Sequence, residues 1–99
     1  VKGCTLVSGG VALFPDAPTL RGRRQLEELV RALGEGDGAA LLVLVFVPAR
    51  AFAPHREVDP RFAEALWSSV EAGLALHPLL LSYDGTALWL QGRLPVVRA

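Results

Sequence analysis

The stretch that decides the fold is A-A-L-L-V-L-V-F-V at residues 39–47, nine apolar residues in a row and rich in β-branched side chains. A run of that length is too short for a helix of ordinary size. Without polar alternation it suits a strand buried on both faces, as in the middle of a sheet with parallel neighbours. Working outward, the segment is flanked on each side by a helical pattern. On the N-terminal side Thr19 can cap a helix reaching Leu33, with Gly34 as its stop. Leu26, Leu29, Val30 and Leu33 share one face of it, and Arg24, Glu27, Glu28 and Arg31 fill the other. On the C-terminal side Asp59-Pro60 predicts a helix start, Asp as N-cap and Pro in the first turn. Phe62, Leu66 and Val70 form its apolar stripe and Gly73 ends it.

Both ends of the chain read as strands. Val1–Ser8 and Val11–Phe14 flank Ser8-Gly9-Gly10, a hairpin turn. Leu76–Tyr83 and Thr86–Gln91 flank Asp84-Gly85, a favoured tight turn. Pro48–Val58, which contains Pro54 and His55, reads as an irregular loop, and the tail from Gly92 as extended chain. The order is ββαβαββ: an α/β fold, with a mixed β-sheet and helices packed on it.

The chain has 99 residues, 52% of them hydrophobic, enough for one domain with a real core. Cys4 is the single cysteine, so no internal disulfide forms, and it reads as a small buried hydrophobe. No apolar run reaches the roughly 20 residues of a membrane helix, and Lys2 leads straight into a strand rather than a signal peptide. The expectation is a soluble, cytoplasmic protein with no membrane partner. Nine of the ten basic residues are arginine, which reads as the coding bias of a GC-rich genome. Val1 is not a methionine and stands inside a strand-like segment, so the chain is expected to be the C-terminal part of a longer protein.

Charge excludes less than it restricts. Ten basic and ten acidic side chains give a formal net charge of zero, which weighs against strong nucleic-acid binding by this chain alone. The basic residues are nevertheless grouped: Lys2 heads a strand, and Arg21, Arg23 and Arg24 open a helix. Three arginines beside a helix N-terminus make a phosphate contact, or else a solvated helix end. Metal ligation is not expected, because His55 and His77 lie far apart and neither pairs with a Cys, Asp, Glu or His at ligand spacing. Both histidines read as loop or rim residues. Cys4 or Ser8 with a histidine has no local motif for nucleophilic catalysis, and the glycines do not have phosphate-loop spacing.

Four segments carry a resemblance: V-K-G-C-T-L-V at 1–7, F-P-D-A-P-T-L-R-G-R-R-Q-L at 14–26, V-D-P-R-F-A-E-A-L at 58–66 and V-E-A-G at 70–73. Together they resemble the sugar fermentation stimulation protein A family, whose members carry V-K-N-x-T-L-V, F-P-D-A-x-T-x-R-G-R-x-H-L and an I-D-P-led helix. The resemblance implies a longer protein, with an N-terminal OB-like domain ahead of a PD-(D/E)xK nuclease-like domain to which this chain corresponds. It implies bacterial DNA-binding proteins that influence sugar metabolism genes; the grouping of Lys2, Arg21, Arg23 and Arg24 near one strand end and one helix start then makes these the expected contacts, sequence-tolerant and to the phosphate backbone. Lys2 matches the lysine of the nuclease E-x-K element, a catalytic role that needs a glutamate immediately before Val1 and a further acid upstream. Mg²⁺ is therefore implied only for a longer protein that carries those acids, and this chain by itself is not expected to cleave DNA. Gly3, Gln25, Phe46 and Val47 depart from the family pattern at polar positions, the last two on the side where phosphate chemistry is expected. Two alternatives stay open: a Mg²⁺-dependent nuclease complete only in the longer protein, and a structural module that pairs with another domain or forms a homodimer.

Overall fold

A computed structural model describes residues 1–98. Its elements are β1 (Lys2–Cys4), β2 (Leu6–Ser8), β3 (Val11–Phe14), α1 (Leu20–Gly34), β4 (Ala40–Val45), β5 (Ala51–Pro54), α2 (Pro60–Glu71), β6 (Ala75–Tyr83) and β7 (Leu88–Arg93). The α/β class holds, but the strands divide into two sheets, one ordered β1-β4-β6-β7 and the other β2-β3-β5. The apolar segment is the central strand β4, parallel to β1 on one side and to β6 on the other. Its burial alternates: Leu41, Val43 and Val45 are buried, while Leu42 and Leu44 are half-buried. One face of the sheet is thus sealed in the core and the other is not.

The expected first strand is two strands. Lys2–Cys4 joins the larger sheet beside β4, and Leu6–Ser8 crosses into the smaller sheet to pair antiparallel with β3. Ser8 lies opposite Val11, so Gly9 and Gly10 form the two-residue turn, both at positive φ (58° and 81°), as a twisted hairpin requires. The segment read as a loop contains β5, parallel to β3 with Val11 opposite Ala51 and Phe14 opposite Pro54. Its other edge is taken by the tail: Phe52 N–H donates to the Pro95 carbonyl and Val97 N–H to that of Phe52. Arg50 pins the β2–β3 turn to the start of β5, its side chain donating to the Gly9 carbonyl at 2.8 Å. The second hairpin closes through a four-residue loop rather than the tight turn expected at Asp84-Gly85: Tyr83 lies opposite Leu88, and the return strand starts at Leu88 rather than Thr86 and runs past Gln91 to Arg93. Asp84 organises that loop: its carboxylate accepts from the Thr86 amide, the Ala87 amide, the Thr86 hydroxyl and Trp89 Nε1, which together hold it far below the usual carboxylate range.

Both helices start at the expected caps. Thr19 Oγ1 accepts from the Gly22 amide, and Asp59 accepts from the Phe62 amide. The helices pack against one another, with Leu26, Phe62 and Leu66 buried in one cluster with Val43, Val45, Phe52 and Leu76. Gly22 makes the close approach workable. A Cβ there would stand 2.8 Å from Thr19 Cγ2, 3.1 Å from Thr19 Oγ1 and 3.2 Å from Phe62 Cε2. Thr19 cannot swing aside without releasing its cap, so Gly22→Ala should be destabilising although alanine is the better helix former. The overpacking cost of about 1–3 kcal/mol exceeds the usual gain of about 1 kcal/mol. The check is a urea melt, and a raised midpoint in the alanine variant would contradict the packing described.

Candidate functional site

Lys2 is half-buried at the head of β1. It pairs in register with Val43, and its side chain lies on the sheet face that α1 covers. There its Nζ donates to Gln25 Oε1. Burial, and then the charge of Arg21, lower the Lys2 pKa from its ordinary 10.5. Arg21 and Gln25 stand one turn apart on α1, so the same helix flank delivers a second cation and a neutral acceptor to the lysine. Val1, Lys2, Gln25, Glu28, Leu29, Ala40 and Leu41 line a shallow hollow here of about 290 Å³.

The four expected phosphate contacts do not form one cluster. Lys2 and Arg21 are brought together. Arg24 is exposed elsewhere on the helix surface. Arg23 is half-buried on the opposite flank, where its charge reaches Asp59, and its Nε has no hydrogen-bond partner. At the start of α1 two amides are already taken: the Gly22 amide is bound to Thr19 Oγ1, and the Thr19 amide donates to Asp59 Oδ2 at 2.8 Å.

Asp59 is the structural counterpart of this arrangement. Only 6% exposed, it accepts from Thr19 N–H with one oxygen and from Phe62 N–H with the other. One carboxylate thus serves the N-terminal ends of both helices, where the two positive dipole ends converge. Burial pushes its pKa up, but the Thr19 and Phe62 amides and the Arg23 charge outweigh burial and hold it below the ordinary 3.8. A D-P pair reads as a cap for its own helix. Its service to a helix 40 residues earlier has no local sign.

The remaining candidates are placed as follows. Cys4 is buried, its thiol against the carbonyls of Leu13 (3.2 Å) and Leu6 (3.9 Å), and burial raises its pKa. It is packed as a hydrophobe, as expected. His55 follows β5 and its Nδ1 lies 3.1 Å from the Pro15 carbonyl, tying the proline-bracketed loop to the smaller sheet. Ser8 and His55 line a common hollow with Val11, Leu13, Arg56 and Glu57. His77 lies near the start of β6, opposite Leu42, inside the strand expected from Leu76 to Tyr83 and not in a loop. Phe46 also differs from expectation. A Cβ on Gly3 would meet its ring at 3.8 Å, which puts it on the sheet face opposite Lys2, away from the site. Asp16 shares a small hollow with Gly3, Cys4 and Thr5. Among the described residues no group of three His, Cys, Asp or Glu side chains is arranged to hold a metal ion.

Comparison with known proteins bears on this site. The model of the sugar fermentation stimulation protein RE domain matches residues 1–87. A sugar fermentation stimulation protein homolog of Thermotoga neapolitana is 49% identical over 96 residues, covering 97% of this chain and 43% of the relative. The homolog of Methanothermobacter thermautotrophicus is 55% identical over 85 residues, covering 85% of this chain and 35% of the relative. The matched relatives are thus archaeal as well as bacterial, and this chain spans less than half their length. Among solved structures, Pyrococcus furiosus SfsA in complex with Ca²⁺ superposes with a TM-score of 0.90 at 30% identity, over 97% of this chain and 42% of that one. The two-sheet, two-helix arrangement is therefore shared with that solved protein and is consistent with a nuclease-like fold. A family model covering almost the whole chain, and a backbone that follows a solved member throughout, establish that the chain belongs to the sugar fermentation stimulation protein family.

Proposed function

We propose that this chain supplies a phosphate-backbone contact of a DNA-binding protein of the sugar fermentation stimulation type, one that grips the duplex without reading bases and acts on sugar metabolism genes. The observation that carries the reading is the convergence of Lys2 and Arg21 on one flank of α1, with Gln25 rather than a carboxylate accepting from the lysine. Two cations held together with their charge uncompensated by that partner are attracted to a phosphate, which relieves their mutual repulsion. Arg24, exposed nearby in sequence, adds a peripheral contact. Arg23 contributes through Asp59 and the helix junction instead.

Anisotropy of a labelled duplex, followed across a salt series, tests this. Lys2→Ala and Arg21→Ala should each weaken binding and reduce the slope of log K against log salt by about 0.9, one phosphate contact apiece. Affinity should also fall as the pH rises toward the lowered Lys2 pKa, below 10.5, because a neutral amine no longer attracts phosphate. Lys2→Arg should remove that pH dependence. Binding that is absent at low salt, or slopes unchanged by both alanines, would end the proposal.

The nuclease alternative has a specific observation behind it: the related Pyrococcus furiosus structure is a complex with Ca²⁺. The donor set of this chain does not fit such an ion. Near Lys2 the hollow offers one carboxylate, Glu28, and no three ligand side chains converge among the described residues. No metal-dependent step is derived from these residues.

A further inference from the structure

The larger sheet has two unequal faces. Leu41, Val43, Val45 and Leu76 meet the helices in the core. Their alternates Leu42, Leu44, Leu79 and Leu81 point the other way and lie outside the core cluster. Register extends this outer face. Leu44 lies opposite Leu79, Leu81 opposite Leu90, and Tyr83 opposite Leu88. Phe46 closes over Gly3 at one side, 42% exposed, while Tyr83, Leu88 and Leu90 are 65%, 58% and 65% exposed at the hairpin end. The strands carry almost no charge here. β4 has none, and the one charged side chain of β7, Arg93, donates to the Leu76 carbonyl at 2.8 Å.

Sheets built on parallel strands are ordinarily covered on both faces, and β1, β4 and β6 are parallel. We propose that the outer face seats a second copy of this chain, the two sheets packing face to face about a twofold axis. Three observations favour that occupant. With ten basic and ten acidic residues the copies have no net charge to repel one another. The accessible surface, 5895 Å² for 10.6 kDa, exceeds the roughly 5,500 Å² of a compact monomer of that mass. The exposed aromatic and leucine side chains, with the half-buried leucines between them, offer on the order of 600 Å² per copy. Two copies then bury on the order of 1,200 Å², the lower bound for a specific interface. The competing occupant is the polypeptide that the relatives carry outside the matched part, more than half of their length.

Sedimentation velocity of the 99-residue chain, from low micromolar to near-millimolar concentration, tests the inference. The expected result is a shift from monomer to dimer. Phe46→Glu and the milder Leu90→Gln should each weaken dimerisation, the first at least tenfold, with circular dichroism confirming that both variants remain folded. Trp89 is an internal control. It is 55% exposed but lies opposite Ser82, on the other side of the hairpin, so Trp89→Ser should leave the dimer intact. A monomer at every concentration would overturn the inference and leave the face to polypeptide outside the matched part. A dimer weakened by Trp89→Ser and untouched by Phe46→Glu would overturn it too, by placing the contact elsewhere. Neither outcome alters the phosphate reading, because Lys2 and Arg21 lie on the opposite face of the sheet.

Discussion

Phe62→Ala is expected to remove about 3–5 kcal/mol of stability, the usual range for deleting a buried aromatic ring. For a domain whose total stability is about 5–15 kcal/mol, that is a large share of the whole. Phe62 is 1% exposed, and Phe14 meets its ring edge-on with centroids 5.5 Å apart. It also stands against the backbone of Gly22, so the ring joins the first helix, the second helix and the smaller sheet. The cavity cannot close easily, because the caps at Thr19 and Asp59 fix the surrounding backbone on both helices. Urea denaturation should show a lowered midpoint with an unchanged slope. Phe62→Leu, which keeps most of the volume, should cost less than half as much. A loss of under about 1 kcal/mol for the alanine variant would mean that the helix junction does not depend on this ring.

Asp59→Ala should cost about 2–4 kcal/mol, from a lost N-cap and from buried amides left without acceptors. Both amides are affected, Phe62 in its own helix and Thr19 ahead of the other, so the two helix starts should loosen together. Asp59→Asn is the informative comparison, since it keeps one acceptor oxygen and the size of the side chain but not the charge. The pH dependence follows from the lowered pKa. The folded protein holds the proton less tightly than the unfolded chain does, so the contribution of the carboxylate is complete above the ordinary value of 3.8. It is lost as the pH falls through the lower folded value. The stability gap between the native chain and Asp59→Asn should therefore be widest near neutral pH and narrow in acid. A gap that stays constant down to the acid limit would show that the charge contributes nothing beyond the hydrogen bonds.

Part of the candidate site was legible because its signals are chemically unusual over short spans. The F-P-D-A-P-T-L-R-G element and the V-K pair point to the family before any fold is known, and they place Lys2 and Arg21 among the candidates. Which arginine faces which partner was not legible. Arg21 and Arg23 are two residues apart, so a helix turns them to different flanks, and only the packing direction of α1 says which flank meets β1. Gln25 was noted only as a departure from the family pattern. That its amide oxygen accepts a hydrogen bond from the lysine ammonium depends on β1 and α1 being neighbours.

The sequence alone determined the central strand, both helices with their caps at Thr19 and Asp59, where the two hairpins turn, and the family. These follow from turn chemistry, capping and periodicity, which act over a few consecutive residues. Tertiary structure decided that residues 1–8 divide between two sheets, and that Ala51–Pro54 becomes a strand between β3 and the tail. It also decided that one carboxylate caps two helices and that Phe46 lies on the face opposite Lys2. A strand takes its partners, and a side chain its face, from contacts tens of residues away. A short segment such as A-F-A-P has too little pattern of its own to announce either.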